Sequence, residues 1–288
     1  MNFVIVLVAL LGSVWLLAVV EGWTTTGRLR PAAPLLSGLA HLGRESIVPR
    51  TPDRVFFETA PVLLLIVAVL GAAVLPLAPT LVIADLATGA LFINAALAYV
   101  LVALIMAGWG PNGAYAMIGG WRFLGQIIAY ALLIVMPITA VAMRAESLVT
   151  TVIVGSQDGL WNIVYQPLGF VLFFIAAMAL AFRAPFDLPT APGELGGGVD
   201  AEYTGVRLGV LRLAATTVFY LGGWHGPLLP PWAWSLIKTL AVGVSMLLAG
   251  RYLPRIREAD LMRWCWTLGI PLALLNIIVV GLLVLVVP

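Results

Sequence analysis

From Trp266 to Val287 the chain reads WTLGIPLALLNIIVVGLLVLVV, without a single charge. A helix needs about 20 mostly apolar residues to cross a bilayer, so length and composition together make this stretch a transmembrane helix. Working outward, apolar runs bounded by charge, Gly and Pro recur at roughly 3–20, 57–78, 85–107, 122–143, 163–182, 206–221 and 232–250, giving eight predicted spans. No Lys or Arg precedes the first run and no Ala-x-Ala site follows Ala18, so it is expected to stay as a helix and not as a cleaved signal. Of 288 residues, 62% are apolar and 10% charged, with a mean hydropathy of +1.09. Soluble domains run near 45–50% apolar and 25% charged, roughly. The fold class is therefore an all-α polytopic membrane protein, with residues 1–288 as a single membrane domain, and a soluble hydrolase or oxidoreductase is excluded.

The net charge of +2, without a lysine-rich run, excludes nucleic acid as a partner. One cysteine, Cys265, and two histidines, His41 and His225, cannot build a disulfide framework, an iron–sulfur cluster or a bis-histidine haem in this chain alone. Any redox cofactor is expected in a partner. Cys265, beside an interfacial tryptophan, reads as a small apolar group, and the two histidines fall on opposite sides of the predicted membrane.

Arginine placement sets the expected orientation, because cytoplasmic loops collect basic residues. Arg28, Arg30, Arg44, Arg50 and Arg54 lie between spans 1 and 2, and Arg251, Arg255, Arg257 and Arg263 between spans 7 and 8. Arg122, Arg183 and Arg207 follow spans 3 and 5, whereas the alternate connections hold only Arg144. Loops 1, 3, 5 and 7 are thus expected in the cytoplasm and both termini outside. Two cytoplasmic connections are long. In residues 21–56, Leu35, Leu36, Leu39, Leu42 and Ile47 fit an amphipathic helix on the membrane surface. Residues 183–205 are rich in Pro and Gly and hold Asp187, Glu194, Asp200 and Glu202, which makes this loop the expected functional segment. A solvated loop without chemistry is the plain alternative.

Ionisable groups at membrane depth are costly and normally face a bundle interior or a wet path. Arg122, Gln126 and Tyr130 recur every fourth residue and stack on one helical face, either as a cavity-lining stripe or as an ordinary packed seam below a snorkelling arginine. Lys238 sits about two turns below Trp232, as an intramembrane charge or a residue reaching back to the surface. Arg212 lies deep enough in span 6 to need a partner, and the carboxylates of 187–202 are nearest in sequence.

Specific motifs stand around these residues. Arg183-Ala-Pro-Phe-Asp-Leu-Pro189, then Gly193-Glu194-Leu195, then Glu202-Tyr-Thr-Gly-Val-Arg207 resembles the signature of the membrane subunit called H in bacterial NADH:quinone oxidoreductase, respiratory complex I, whose mitochondrial counterpart is subunit 1. Further stretches are similar in the same order: Ala107-Gly108-Trp109 through Gln126, Gln166-Pro167-Leu168-Gly169-Phe170, Leu221-Gly-Gly-Trp-His-Gly-Pro227, Leu236-Ile237-Lys238-Thr239, Leu253-Pro254-Arg255-Ile256-Arg257 and Pro271 to Asn276. The resemblance covers about residues 55–280. It implies an eight-helix subunit that anchors the soluble electron-transfer arm and forms much of the quinone tunnel. Its expected partners are the other membrane and soluble subunits, including an iron–sulfur-bearing neighbour, with quinone as substrate. It further implies that Arg183, Asp187, Glu194, Glu202 and Arg207 form a paired charge network at the inner mouth of that tunnel.

Departures from the family pattern are concentrated in acids. Ala131, Leu180, Thr190, Pro192 and Ala215 stand where glutamates are expected, so a relay of protons from the quinone cavity is expected to be weakened. Fourteen arginines against one lysine, with abundant Ala and Gly, fit a bacterial plasma membrane. A membrane subunit of a related hydrogenase or ferredoxin-linked complex is the alternative reading. A free-standing transporter is the third, although the paired repeats common in such proteins are not visible in this sequence.

Overall fold

The computed structural model describes residues 2–76, 78–79, 81–157, 160–181, 185–191, 193–204 and 231–286. The elements are α1 (Asn2–Thr26), α2 (Ala33–Leu42), α3 (Arg54–Val74), α4 (Gly89–Trp109), α5 (Ala114–Arg144), α6 (Thr150–Gly155), α7 (Asn162–Tyr165), α8 (Pro167–Leu180), α9 (Pro231–Tyr252), α10 (Glu258–Trp264) and α11 (Ile270–Val286). The chain is an all-α multi-pass membrane protein. Among the described residues five helical spans are long and apolar enough to cross a bilayer: α3, α4, α5, Ala233–Tyr252 and the continuous run Glu258–Val286. Helix α1 adds 25 residues in which Glu21 is the one charge. The expected span 206–221 lies outside the described residues.

Proline explains where helices end or deform. The expected span 163–182 is interrupted at Gln166, since Pro167 has no N–H to continue α7 and instead starts α8. Helix α8 is only 14 residues, about 21 Å, against a hydrocarbon core of about 30 Å. The chain that follows it therefore enters the bundle instead of lying above it. In the last run, Pro271 cannot donate to the carbonyl of Thr267, and the ladder there shifts into a π turn over Cys265–Gly269. Pro61 within α3 likewise frees the carbonyl of Phe57. The hydroxyl of Tyr203 donates to it at 3.4 Å, and the Tyr203 ring stacks on Phe57 with centroids 4.7 Å apart.

Two ends of the bundle are defined by hydrogen bonds between connections. At one end Asp53 N–H donates to Gly110 O (2.8 Å) and Asn112 Nδ2 to Thr51 O (3.0 Å), so the start of α3 meets the end of α4. Asp53 also caps α3, its carboxylate accepting from Val55 and Phe56 N–H. At the opposite end Thr150 Oγ1 donates to Val74 O (2.8 Å) and Ala90 N–H to Leu148 O (2.9 Å). Between the ends the helices approach closely through small residues, as membrane helices do: a Cβ on Gly108 would lie 2.9 Å from Gly120 Cα. Asn276 ties α11 to α8, accepting from Gly169 N–H (3.0 Å) and donating to Gln166 Oε1 (3.2 Å).

Candidate functional site

The first end gathers three connections that are remote in sequence. Ile47 N–H donates to Thr204 Oγ1 (2.8 Å), which joins the first connection to the end of the Pro/Gly-rich segment. Ile256 N–H donates to Pro185 O (3.2 Å), which joins the last connection to its start. The segment itself is folded inward: Phe186, Leu188, Ala191, Leu195, Val199 and Tyr203 are all buried. A positive φ at Gly197 and Gly198 allows its tight return through a 3-10 turn at Gly198–Asp200. It lies directly on α5, because Gly119 has no Cβ to meet Pro189 O and Val199 N.

Its acids are paired across that packing. Arg122 Nη1 donates to Glu194 Oε2 at 2.7 Å. Arg255 Nε lies 2.8 Å from Asp187 Oδ1 and its Nη1 3.6 Å from Glu194 Oε1, while Nη2 donates to the Asp187 carbonyl at 3.2 Å. The Nε contact is an ion pair off the straight N–H line, so Asp187 Oδ1 keeps capacity for another donor. Beside Arg122, and with Arg255 nearby, the Glu194 carboxyl is held below the usual carboxylate range. Glu202 is exposed and packs against Gly113. Arg183 and Arg207, expected to pair within the segment, lie outside the described residues. The cations observed on its acids come instead from α5 and from the connection before α10.

Below this layer Gln126 is fully buried. Its Nε2 donates to Ala179 O (2.7 Å) and Phe186 O (3.0 Å), stitching the end of α8 to the loop across the turn between them. One turn deeper, Tyr130 is 1% exposed. Gln126 Oε1 and Tyr130 Oη have no hydrogen-bond partner among the described residues. The stripe Arg122, Gln126, Tyr130 thus runs from the charged layer into the core. Lys238 is not part of it; its ammonium sits 4.4 Å from the Trp161 ring centroid at the opposite end. No group of three or more metal-ligating side chains occurs among the described residues. Arg255 was legible only as a loop charge, because nothing in local sequence places it over Asp187.

A profile of the NADH dehydrogenase family matches residues 21–281. The chain belongs to that family. Within it, the H 1 subunit of the NADH-quinone oxidoreductase of Geobacter metallireducens is 38% identical over 274 residues, covering 88% of this chain and 82% of that one. The H subunit of the same enzyme from Syntrophotalea carbinolica is 37% identical over 277 residues, covering 90% and 82%. In fold, the chain superposes on a component of the membrane-bound sulfane sulfur reductase, an archaeal respiratory membrane complex, with a TM-score of 0.86, 22% identity, and 97% and 98% of the two chains covered. This NADH dehydrogenase family chain is a divergent H subunit, a membrane component of a complex I-like oxidoreductase.

Proposed function

We propose that the chain anchors the soluble electron-transfer arm of an NADH:quinone oxidoreductase and shapes the inner end of its quinone path. The carrying observation is the ion-paired layer of Asp187, Glu194, Arg122 and Arg255, set at one end of an otherwise apolar bundle. An isoprenoid tail needs apolar walls, while a quinone head group gaining electrons and protons needs polar contacts beside them. Charged loops from three connections suit a docking face for soluble subunits, since complementary charge steers and registers such contacts. The iron–sulfur-bearing neighbour would sit on this face, and the chain itself would carry no redox centre. The relatives at 37–38% identity are H subunits of bacterial quinone enzymes, which supports quinone over hydrogenase chemistry and a bacterial plasma membrane.

Asp187 is the residue that tests the reading. Its unpartnered Oδ1 and its contact with Arg255 support it as a polar contact for the head group. Asp187→Asn is expected to lower quinone-linked turnover at least tenfold while the complex still assembles and the soluble arm still oxidises NADH with a soluble acceptor. Normal quinone reduction in the assembled variant would overturn the assignment.

A further inference from the structure

Tyr99 stands at the centre of α4. It is 10 residues from Gly89 and 10 from Trp109, about 15 Å each way at 1.5 Å per residue, or half of a hydrocarbon core of about 30 Å. Both ends of α4 are fixed by hydrogen bonds: Ala90 N–H donates to Leu148 O at one, and Gly110 O, just past Trp109, accepts from Asp53 N–H at the charged-loop end. Tyr99 therefore lies near the bilayer midplane, and it is 53% exposed. Helix α4 packs on α3 and α5 and buries Val100, Ala103, Leu104 and Ala107. Leu91, Ala95, Ala98 and Val102 recur at helical spacing on the opposite, exposed face, with Tyr99 beside them.

A tyrosine on a membrane helix normally sits at an interface, with its ring in lipid and its hydroxyl in water. From the midplane a phenol reaches neither interface. The exposed large side chains in the middle of α3, α5 and α11 are hydrocarbons, among them Ile66, Leu132 and Ile278, as contact with acyl chains alone requires. The Tyr99 hydroxyl makes no hydrogen bond among the described residues. Acyl chains offer no acceptor, so a hydroxyl left among them forfeits the hydrogen bond it makes in water. A neighbouring helix supplies that acceptor where lipid cannot. Ala95 and Ala98, small and exposed next to Tyr99, let its backbone come close.

We infer that the exposed face of α4 from Leu91 to Val102 seats a transmembrane helix of another membrane subunit of the complex, which presents an oxygen acceptor to Tyr99 Oη at midplane depth. A Ser, Thr, Asn or Gln side chain supplies such an oxygen, and so does a backbone carbonyl freed by a proline one turn on. This face shares no residue with the charged layer, so the inference goes beyond the quinone reading and stands if that reading fails.

The test uses the purified complex with the full chain and the photoreactive residue p-benzoylphenylalanine in place of Tyr99, irradiated and then analysed by mass spectrometry. A covalent adduct with an integral membrane subunit other than this chain is expected. The same probe in place of Leu91 or Val102 leaves the tyrosine intact and is expected to capture the same subunit, which keeps the test open if the first variant does not assemble. Tyr99→Phe retains the ring and removes the hydroxyl. It is expected to lower retention of that subunit through a detergent wash about threefold, the scale of one interhelical hydrogen bond in a membrane, while Ile278→Ala on α11 leaves retention unchanged. Lipid adducts alone at all three positions of the assembled complex, or adducts with a second copy of this chain, would overturn the proposal. So would full retention in Tyr99→Phe, or an equal loss in Ile278→Ala.

Discussion

Gln126 carries more of the site's architecture than its place in a polar stripe implies. Its amide nitrogen donates to two carbonyls, Ala179 O and Phe186 O, on either side of the turn where α8 gives way to the loop. Gln126→Leu keeps volume but removes both hydrogen bonds, and each such bond contributes about 0.5–1.5 kcal/mol. The expected outcome is a lower thermal unfolding midpoint for the complex and faster proteolysis within 185–204, with Gln126→Glu no substitute because a carboxylate cannot donate. Glu194 makes a different prediction. Its carboxyl titrates below the usual range because the ionised form is held by Arg122 and Arg255, so its contribution is present above the ordinary carboxylate pKa and is lost as pH falls through the depressed value. The group is solvent-exposed, so salt should weaken the pair. Glu194→Gln is therefore expected to loosen the loop at neutral pH and low salt, measured by hydrogen exchange of 193–199. At acid pH, or at high salt, the variant and the unmodified chain should exchange alike.

At the scale of elements, the spans were legible because a lipid-facing segment must satisfy its backbone internally and stay apolar, which leaves a strong linear signal. The proline-set boundaries were only half visible: Pro167 stands in plain sight, yet only the resulting shortness of α8 shows that the loop after it drops into the bundle. That loop reads as polar and Gly/Pro-rich, and its burial depends on a neighbour it has no sequence relation to. Gly119 is the decisive contact. A methyl there meets Pro189 O and Val199 N, both backbone atoms that cannot swing aside. Gly119→Ala is thus expected to push 185–204 off α5 and to raise protease cleavage in the loop severalfold. Gly193→Ala, where a Cβ meets nothing within 4 Å, should leave cleavage unchanged. The ion-pair partners were not legible for the same reason. Arg122 and Arg255 reach Glu194 and Asp187 through helix packing, whereas local sequence pointed to Arg183 and Arg207.

For the whole molecule, we propose from the arginine asymmetry and the clustering of connections 43–53, 185–204 and 253–257 at one end that this end faces the cytoplasm and the Lys238 end the outside. Cysteines introduced at Gly193 and at Glu146 should therefore react with a membrane-impermeant maleimide from opposite sides, against a low background because native Cys265 is buried. Periplasmic labelling at position 193 would reverse the topology. The same layout bears on coupling. A proton leaving the charged layer meets Gln126 and then Tyr130, whose Oε1 and Oη respectively find no partner among the described residues. Around them stand Ala131 and the buried Leu180, where a carboxylate would be needed to hold water or take up the charge. An isolated proton in such surroundings is too costly to populate without ionisable groups at close intervals. Fewer protons per quinone reduced are therefore expected in proteoliposomes than for family members that keep glutamates at these positions. Tyr130→Phe should leave that ratio unchanged, because its hydroxyl finds no onward acceptor among the described residues. A full stoichiometry that collapses in Tyr130→Phe would instead make the tyrosine an obligatory relay and defeat the argument.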